Sequence, residues 1–419
     1  MKVNLYHFLI GAALLLGAGC KKAQSPSDAL APTKASYGGG SATGFPLSST
    51  SQRLIAYDNG DNTGLTKLLS FDIVNNKVDL ISVTTGGVIS NVFTETTGFT
   101  LDDGDAPLNI AQGAASDNYN EVGGTHITAF DGTNSGHMNY LFVYVPGAGK
   151  CCILTTSSTP GIWHMVWPST GTWASGFNGY DLGGATDKVL AYGIAGTQNK
   201  PDLIFYRAGN AIFWLFQNAG NGSTFNAVAK SSSGIAGYDL KGATDQIAVV
   251  GANPGGNTFQ WDLIAYRPEY NYVWYITHSN GTANFAEAYG THSGLSGFSL
   301  SSEQARIIPY DVSSSGTPVT FMGYIPGVTA ASQEVQINFG IPSSPTVGLF
   351  TSTFGYALND NPYGNTPGVG DKFVAFHNNQ GLSTLACFEN GPGGQAQIWQ
   401  QNPPGLINSS GYYTYTQIY

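Results

Sequence analysis

The chain has 419 residues and a net charge of -10, with 16 Lys+Arg against 26 Asp+Glu and only 10% charged residues in all. So little positive charge leaves no electrostatic footprint for nucleic acid and little attraction to an anionic membrane surface. Gly (56 residues) and aromatics (12%) are abundant where a helical protein would carry Glu, Lys and Arg, which points to short strands joined by many turns.

The N-terminus reads as a secretion signal. Lys2 supplies a positive start, Phe8 to Leu16 form an apolar run too short to span a bilayer, and Gly17-Ala18-Gly19 lead directly into Cys20. This resembles the lipobox of bacterial lipoproteins, which implies that residues 1–19 are a signal peptide and that Cys20 carries the lipid. Leu16 stands one place further from the cysteine than in the usual pattern, and an ordinary signal peptide is the other reading. Lys21 and Lys22 follow with no acidic residue, so the expected address is the outer membrane or cell surface of a Gram-negative bacterium. Residues 20–43, rich in Ser, Pro, Gly and Ala and without hydrophobic periodicity, are expected to be a flexible linker.

From residue 44 to 419 the sequence repeats. A G-[aromatic]-x-L marker begins at Gly44, Gly98, Gly179, Gly237, Gly297 and Gly355, at intervals of 54, 81, 58, 60 and 58 residues. The long interval reflects a polar, Gly/Asn-rich insertion from Asp102 to Gly124. After each marker comes a six-residue strand that a polar residue opens and small apolar residues fill: RLIAYD, HITAFD, KVLAYG, QIAVVG, RIIPYD and KFVAFH. An aromatic then closes a second strand, at Phe71, Tyr144, Tyr206, Tyr266, Tyr324 and Phe388, usually 13 residues beyond the first. Third strands read AIFWLFQN, YVWYITHS and AQIWQQN; fourth strands begin at Phe225 and Phe285 and include the C-terminal YYTYTQIY. Four antiparallel strands in about 58 residues match a propeller blade, and six units predict an all-β, six-bladed β-propeller of four-stranded antiparallel blades.

Cysteines are few. Cys151 and Cys152 are adjacent and Cys387 is distant. Neighbours in a strand point to opposite faces, so a vicinal bond would need local distortion, and both are expected to be small buried hydrophobes. No Cys/His spacing suits zinc.

Candidate ligand-binding residues fall where the units differ. Arg207 and Arg267 end two D-L-I-x-Y-R phrases and are two of only four arginines. They could hold a carboxylate or sugar hydroxyls, or could pair with the repeat's own Asp187 and Asp245 as local staples. Trp163, Trp167, Trp173 and Trp261 fit the regular strands less well than Trp214, Trp274 and Trp399, and are the candidates for exposed contact. Asp58 to Gly64 and Asp102 to Asp105 look acidic, but neither has the alternation of a calcium loop, so calcium is only an outside expectation and otherwise no metal or cofactor is expected. Nucleophile elbows, H-E-x-x-H and phosphate loops are missing, and no catalytic residue is assigned.

At G-Y-D-L, D-[KQ]-[IV] and D-L-I-x-Y-R-[AP] the chain resembles the degenerate repeats of secreted bacterial propellers, namely FG-GAP/VCBS-like modules and six-bladed propeller lectins. The likeness is clear from about Gly179 to Ser293 and faint elsewhere, and it lacks the calcium-binding run of FG-GAP units. It implies a fold. The expected function is a lipid-anchored, monomeric surface protein that binds glycans without catalysis. The alternatives are a scaffold for an envelope protein and a glycan-cleaving enzyme with an unrecognised carboxylate pair.

Overall fold

The computed structural model describes residues 49–417 apart from 50, 59–66, 84–88, 103–104, 112–123, 158, 160, 253–258, 295–298, 311–319, 325–334, 340–346, 351–371, 378–382, 389–395 and 402–414. The signal segment, Cys20, the linker and the markers at Gly44, Gly297 and Gly355 lie outside these residues. Among the described residues there is no helix, and hence none long and apolar enough to cross a membrane.

All strands are antiparallel to their neighbours and follow chain order within small sheets. The first sheet is β1 (Gln52–Tyr57), β2 (Lys67–Asp72), β3 (Lys77–Val83) and β4 (Ile89–Glu95). The second holds β5 (His126–Phe130), β6 (Tyr140–Val145), β7 (Lys150–Thr156) and β8 (Trp163–Trp167), and the two-residue β9 (Ala174–Ser175) adds to the far end of β7. The third is β10 (Asp187–Tyr192), β11 (Asp202–Arg207), β12 (Ile212–Asn218) and β13 (Phe225–Ser231). The fourth is β14 (Gln246–Ala252), β15 (Gln260–Arg267), β16 (Tyr272–His278) and β17 (Phe285–Thr291). Two further sheets follow: β18 (Arg306–Tyr310), β19 (Thr320–Tyr324), β20 (Val335–Phe339) and β21 (Val347–Phe350), then β22 (Lys372–His377), β23 (Ser383–Phe388), β24 (Ala396–Gln401) and β25 (Tyr415–Gln417).

The sheets form a β-propeller arrangement. Each first strand neighbours the first strands before and after it, from β1 through β5, β10, β14, β18 and β22 and back to β1. The sequence explains the layering. The second strands of the first four sheets are near-continuous apolar runs, such as KLLSFD and DLIFYR, and are buried on both faces. The fourth strands of the third and fourth sheets, FNAVAKS and FAEAYGT, are rich in polar and small residues and lie largely exposed. Side-chain packing is described mainly for the four consecutive sheets from β1 to β17. Cores fill the spaces between sheets one and two, two and three, three and four, and four and five. A bulge recurs between third and fourth strands in each of the first four sheets, at Leu80/Ile81, Ile153/Leu154, Leu215/Phe216 and Tyr275/Ile276, and adds local twist.

Repeated second-strand tyrosines bolt one sheet to the next. The backbone N–H of Val189 donates to Tyr144 Oη (3.1 Å), that of Ile247 to Tyr206 Oη (3.2 Å) and that of Ile307 to Tyr266 Oη (3.1 Å). A first strand is the edge of its own sheet, so some of its N–H groups lack a ladder partner; the preceding sheet supplies one. Cys151 and Cys152 are buried, unbridged thiols on opposite faces of β7, Cys152 in the core between sheets one and two and Cys151 in the next.

Candidate functional site

The marker loops fix where each first strand begins. In the third sheet Gly179 takes φ +91° and lets Phe177 and Tyr180 exchange backbone hydrogen bonds of 2.7 and 2.8 Å. Tyr180 Oη then donates to Asp187 (2.5 Å), and the Gly184 N–H adds a second bond to it (2.8 Å). Arg207 forks onto the same carboxylate through Nε (2.8 Å) and Nη2 (2.7 Å), while its Nη2 also reaches Asp181. The fourth sheet repeats the device: Asp245 accepts from Tyr238 Oη (2.6 Å), Gly242 N–H (2.8 Å), and Arg267 Nε (2.6 Å) and Nη2 (2.8 Å). The hydrogen bonds that Arg207 and Arg267 donate to Asp187 and Asp245 push the two guanidinium pKa values up, and burial pushes the Tyr180 and Tyr238 phenols up. The carboxyl of Asp181 is held below its ordinary range by the Gly183 N–H and then by Arg207. In each clamp the residue after the gripped aspartate, Lys188 or Gln246, lies at the start of the first strand. The clamp therefore aims that side chain.

Those aimed side chains meet. A cavity of about 260 Å³ is lined by Arg53, Leu54 and Ile55 of β1, Thr125 with His126 and Ile127 of β5, Lys188, Gln246 and Arg306 from β10, β14 and β18, and Phe373 and Val374 of β22, with Phe71 and Tyr324 behind. It lies where the first strands come together, at the propeller axis. Arg53 and Arg306 are only 6% and 8% exposed, so their charges sit largely out of water. Lys188 Nζ donates to Gln246 Oε1 (2.6 Å), and Gln246 Nε2 to the Thr244 carbonyl (3.1 Å). Arg306 Nη1 donates to the carbonyls of Glu303 and Ala305, each at 2.8 Å, which orients its guanidinium. Among the described lining residues there are three fixed cations and a histidine, and no Asp or Glu. Cations that converge on one cavity favour a bound anion.

The residues singled out from sequence lie elsewhere. Arg207 and Arg267 are committed to the clamps, with their side chains 14% and 13% exposed. Trp163 has no exposed surface: its Nε1 donates to Tyr57 Oη (3.2 Å) and its ring meets the edges of Phe93 and Phe99. Trp261 is 2% exposed, donates to the Asn199 carbonyl (3.0 Å) and carries Lys200 Nζ 3.9 Å above its ring. Both were expected as exposed contacts and are instead core residues, because each closes the space between two sheets. Trp167 is half-buried against Phe177, and Trp173 half-buried against the core between the first two sheets. The four tryptophans thus belong to three separate cores. No group of three metal-ligating side chains occurs among the described residues; Asp58 engages His137 Nδ1 (2.6 Å) and Asp102 engages His164 Nδ1 (2.9 Å).

The axial residues were missed in the sequence although a signal was there. The residue opening the six-residue strand is Arg53, His126, Lys188, Gln246, Arg306 and Lys372 in turn, basic in five of six units of a chain poor in bases.

Fold and cavity together define a propeller with a cationic axial site. No family model matches the chain, and no curated protein matches it. Among solved structures it is similar to a protein assigned as a 6-phosphogluconolactonase of Bacteroides uniformis, at 10% identity and TM-score 0.38, over 68% of this chain and 66% of the other, just under two thirds. AofleA from Arthrobotrys oligospora aligns at 11% identity and TM-score 0.43 over 89% and 88%. The periplasmic gluconolactonase of Pseudomonas aeruginosa aligns at 11% and 0.39 over 70% and 68%. At these values no residue of a site is carried across.

Proposed function

We propose that the chain is a ligand-binding protein whose site is the axial cavity, and that its sheets are the blades of one closed six-bladed ring, tethered at the cell envelope through Cys20. The carrying observation is the convergence of Arg53, His126, Lys188, Gln246 and Arg306, each at or next to the start of a first strand, on one cavity. The unbroken neighbour relation of the first strands supports the ring. Binding is favoured over glycan cleavage because hydrolysis of that kind takes two carboxylates across the bond, and the described lining has none. Binding is also better placed here than at the clamped arginines and buried tryptophans on which a glycan site was expected.

The test is a thermal-shift screen of small molecules of all charge classes against the wild type and against Ile127→Trp, which fills the cavity. Ligands that stabilise the wild type and not the filled variant support the reading. A broad screen with no such ligand counts against it.

A second reading, contact with an envelope protein, is favoured by the aromatic surface of the fourth sheet. Tyr270 is 57% exposed and meets the half-buried Tyr272, which in turn meets Trp274, while Tyr289, 38% exposed, stands on the neighbouring strand opposite Tyr275. Tyr270→Ser with Tyr289→Ser would release such a partner and leave the axial site intact.

A further inference from the structure

Resting on the reading of the axial cavity as the ligand site, we infer that its ligand is a small polyanion carrying several negative charges, such as a compact polycarboxylate or a phosphate. The argument is the arrangement of the cations and not merely their number. Arg53, Lys188 and Arg306 lie within the first two residues of the first strands of the first, third and fifth sheets. Along the neighbour order β1, β5, β10, β14, β18, β22 these are alternate positions, so the three charges approach the axis from three sides. A monoanion satisfies one such wall. An anion with charge on several sides engages all three, through charge-assisted bonds that a forked guanidinium and a mobile ammonium both supply.

Between the cations stand polar groups without fixed charge, His126 and Gln246, suited to hydroxyl or carbonyl oxygens of the same ligand. Leu54, Ile127 and Val374 offer only apolar surface, which suits a short carbon skeleton. Size narrows the class further. A cavity of about 260 Å³ falls below the roughly 300–1,000 Å³ of drug-sized pockets, so a metabolite of a few carbons fits and an oligosaccharide does not. The burial of Arg53 and Arg306 removes competing water, so their attraction for an anion exceeds that of surface arginines.

The experiment is calorimetric titration of the full chain at low salt with citrate, inorganic phosphate and the neutral polyol inositol. The variants are Lys188→Met, Lys188→Arg and the cavity-filled Ile127→Trp, each checked for folding by circular dichroism. Citrate or phosphate is expected to bind, inositol not. Lys188→Met should weaken the anion about tenfold or more, the worth of one charged hydrogen bond, and Lys188→Arg should retain it. Which anion binds more tightly tells a carboxylate ligand from a phosphoryl one. Inositol binding that Ile127→Trp abolishes, with no anion binding, would overturn this inference and leave the ligand site standing. Anion binding that survives Ile127→Trp would place the anion elsewhere and overturn both. Should Lys188→Met not fold, the Lys188→Arg result and a fall in affinity with added salt decide the matter, since a charge-driven site must show the latter.

Discussion

Arg267→Met tests the clamp that sets the start of a first strand. The Asp245 side chain is wholly buried and accepts four hydrogen bonds, of which Arg267 donates two, at 2.6 and 2.8 Å. Methionine keeps much of the arginine's apolar stem but removes both bonds and the positive charge. Tyr238 and Gly242 remain, and neither neutralises the carboxylate. Breaking a buried pair by deleting one partner costs about 3–5 kcal/mol, because a charge is left in a poor solvent. Two neutral donors persist, so about 3 kcal/mol is expected; the half-exposed Asp239 adds little. Urea unfolding should show this as a lowered midpoint with an unchanged slope. Asp245→Asn in the same chain removes the stranded charge, so the double variant should recover much of the loss. A shift below about 0.5 kcal/mol for Arg267→Met, or strict additivity in the double variant, would refute the argument, since residues in contact should couple.

Three further outcomes are expected. Tyr206→Phe deletes one oxygen and strands the Ile247 N–H between two sheets, at about 1–3 kcal/mol in urea unfolding; Tyr144→Phe and Tyr266→Phe should cost similar amounts, because they make the same bond. Burial lowers the Lys200 pKa to about 8. Its desolvation cost is therefore fully present below that value and is relieved as pH rises toward the ordinary lysine value, a range in which the unfolded chain binds the extra proton. Wild-type stability should gain on Lys200→Met between about pH 8 and 10, and a flat difference across that window would contradict the assignment. Burial pushes the Cys151 and Cys152 thiols up, so iodoacetamide should spare both in the folded protein and modify them only in denaturant, as read by peptide mass spectrometry.

Much of the framework was legible because local pattern dictates it. RLIAYD became β1, KVLAYG β10, YVWYITHS β16, and the closing aromatics Phe71, Tyr144, Tyr206, Tyr266 and Tyr324 all fall in second strands. Alternation also placed Cys151 and Cys152 on opposite faces. What a repeat comparison cannot show is which side chains meet across units. Trp163 and Trp261 look irregular in sequence, yet each is a wedge between sheets, a role that depends on partners such as Tyr57 and Asn199 far away in the chain. The hydroxyl of Tyr206 reads as an aromatic marker until its partner, the N–H of Ile247, is known. The axial site illustrates the same point. Its residues are separated by about one repeat each, and their shared cavity exists only once the first strands stand around one axis.

The most direct test of the account is a crystal structure of the chain grown with the tighter-binding of citrate and phosphate. The account predicts the anion on the axis, within hydrogen-bond distance of Arg53, Lys188 and Arg306 together. An anion bound only at the outer surface, with water alone between those three residues, would contradict it.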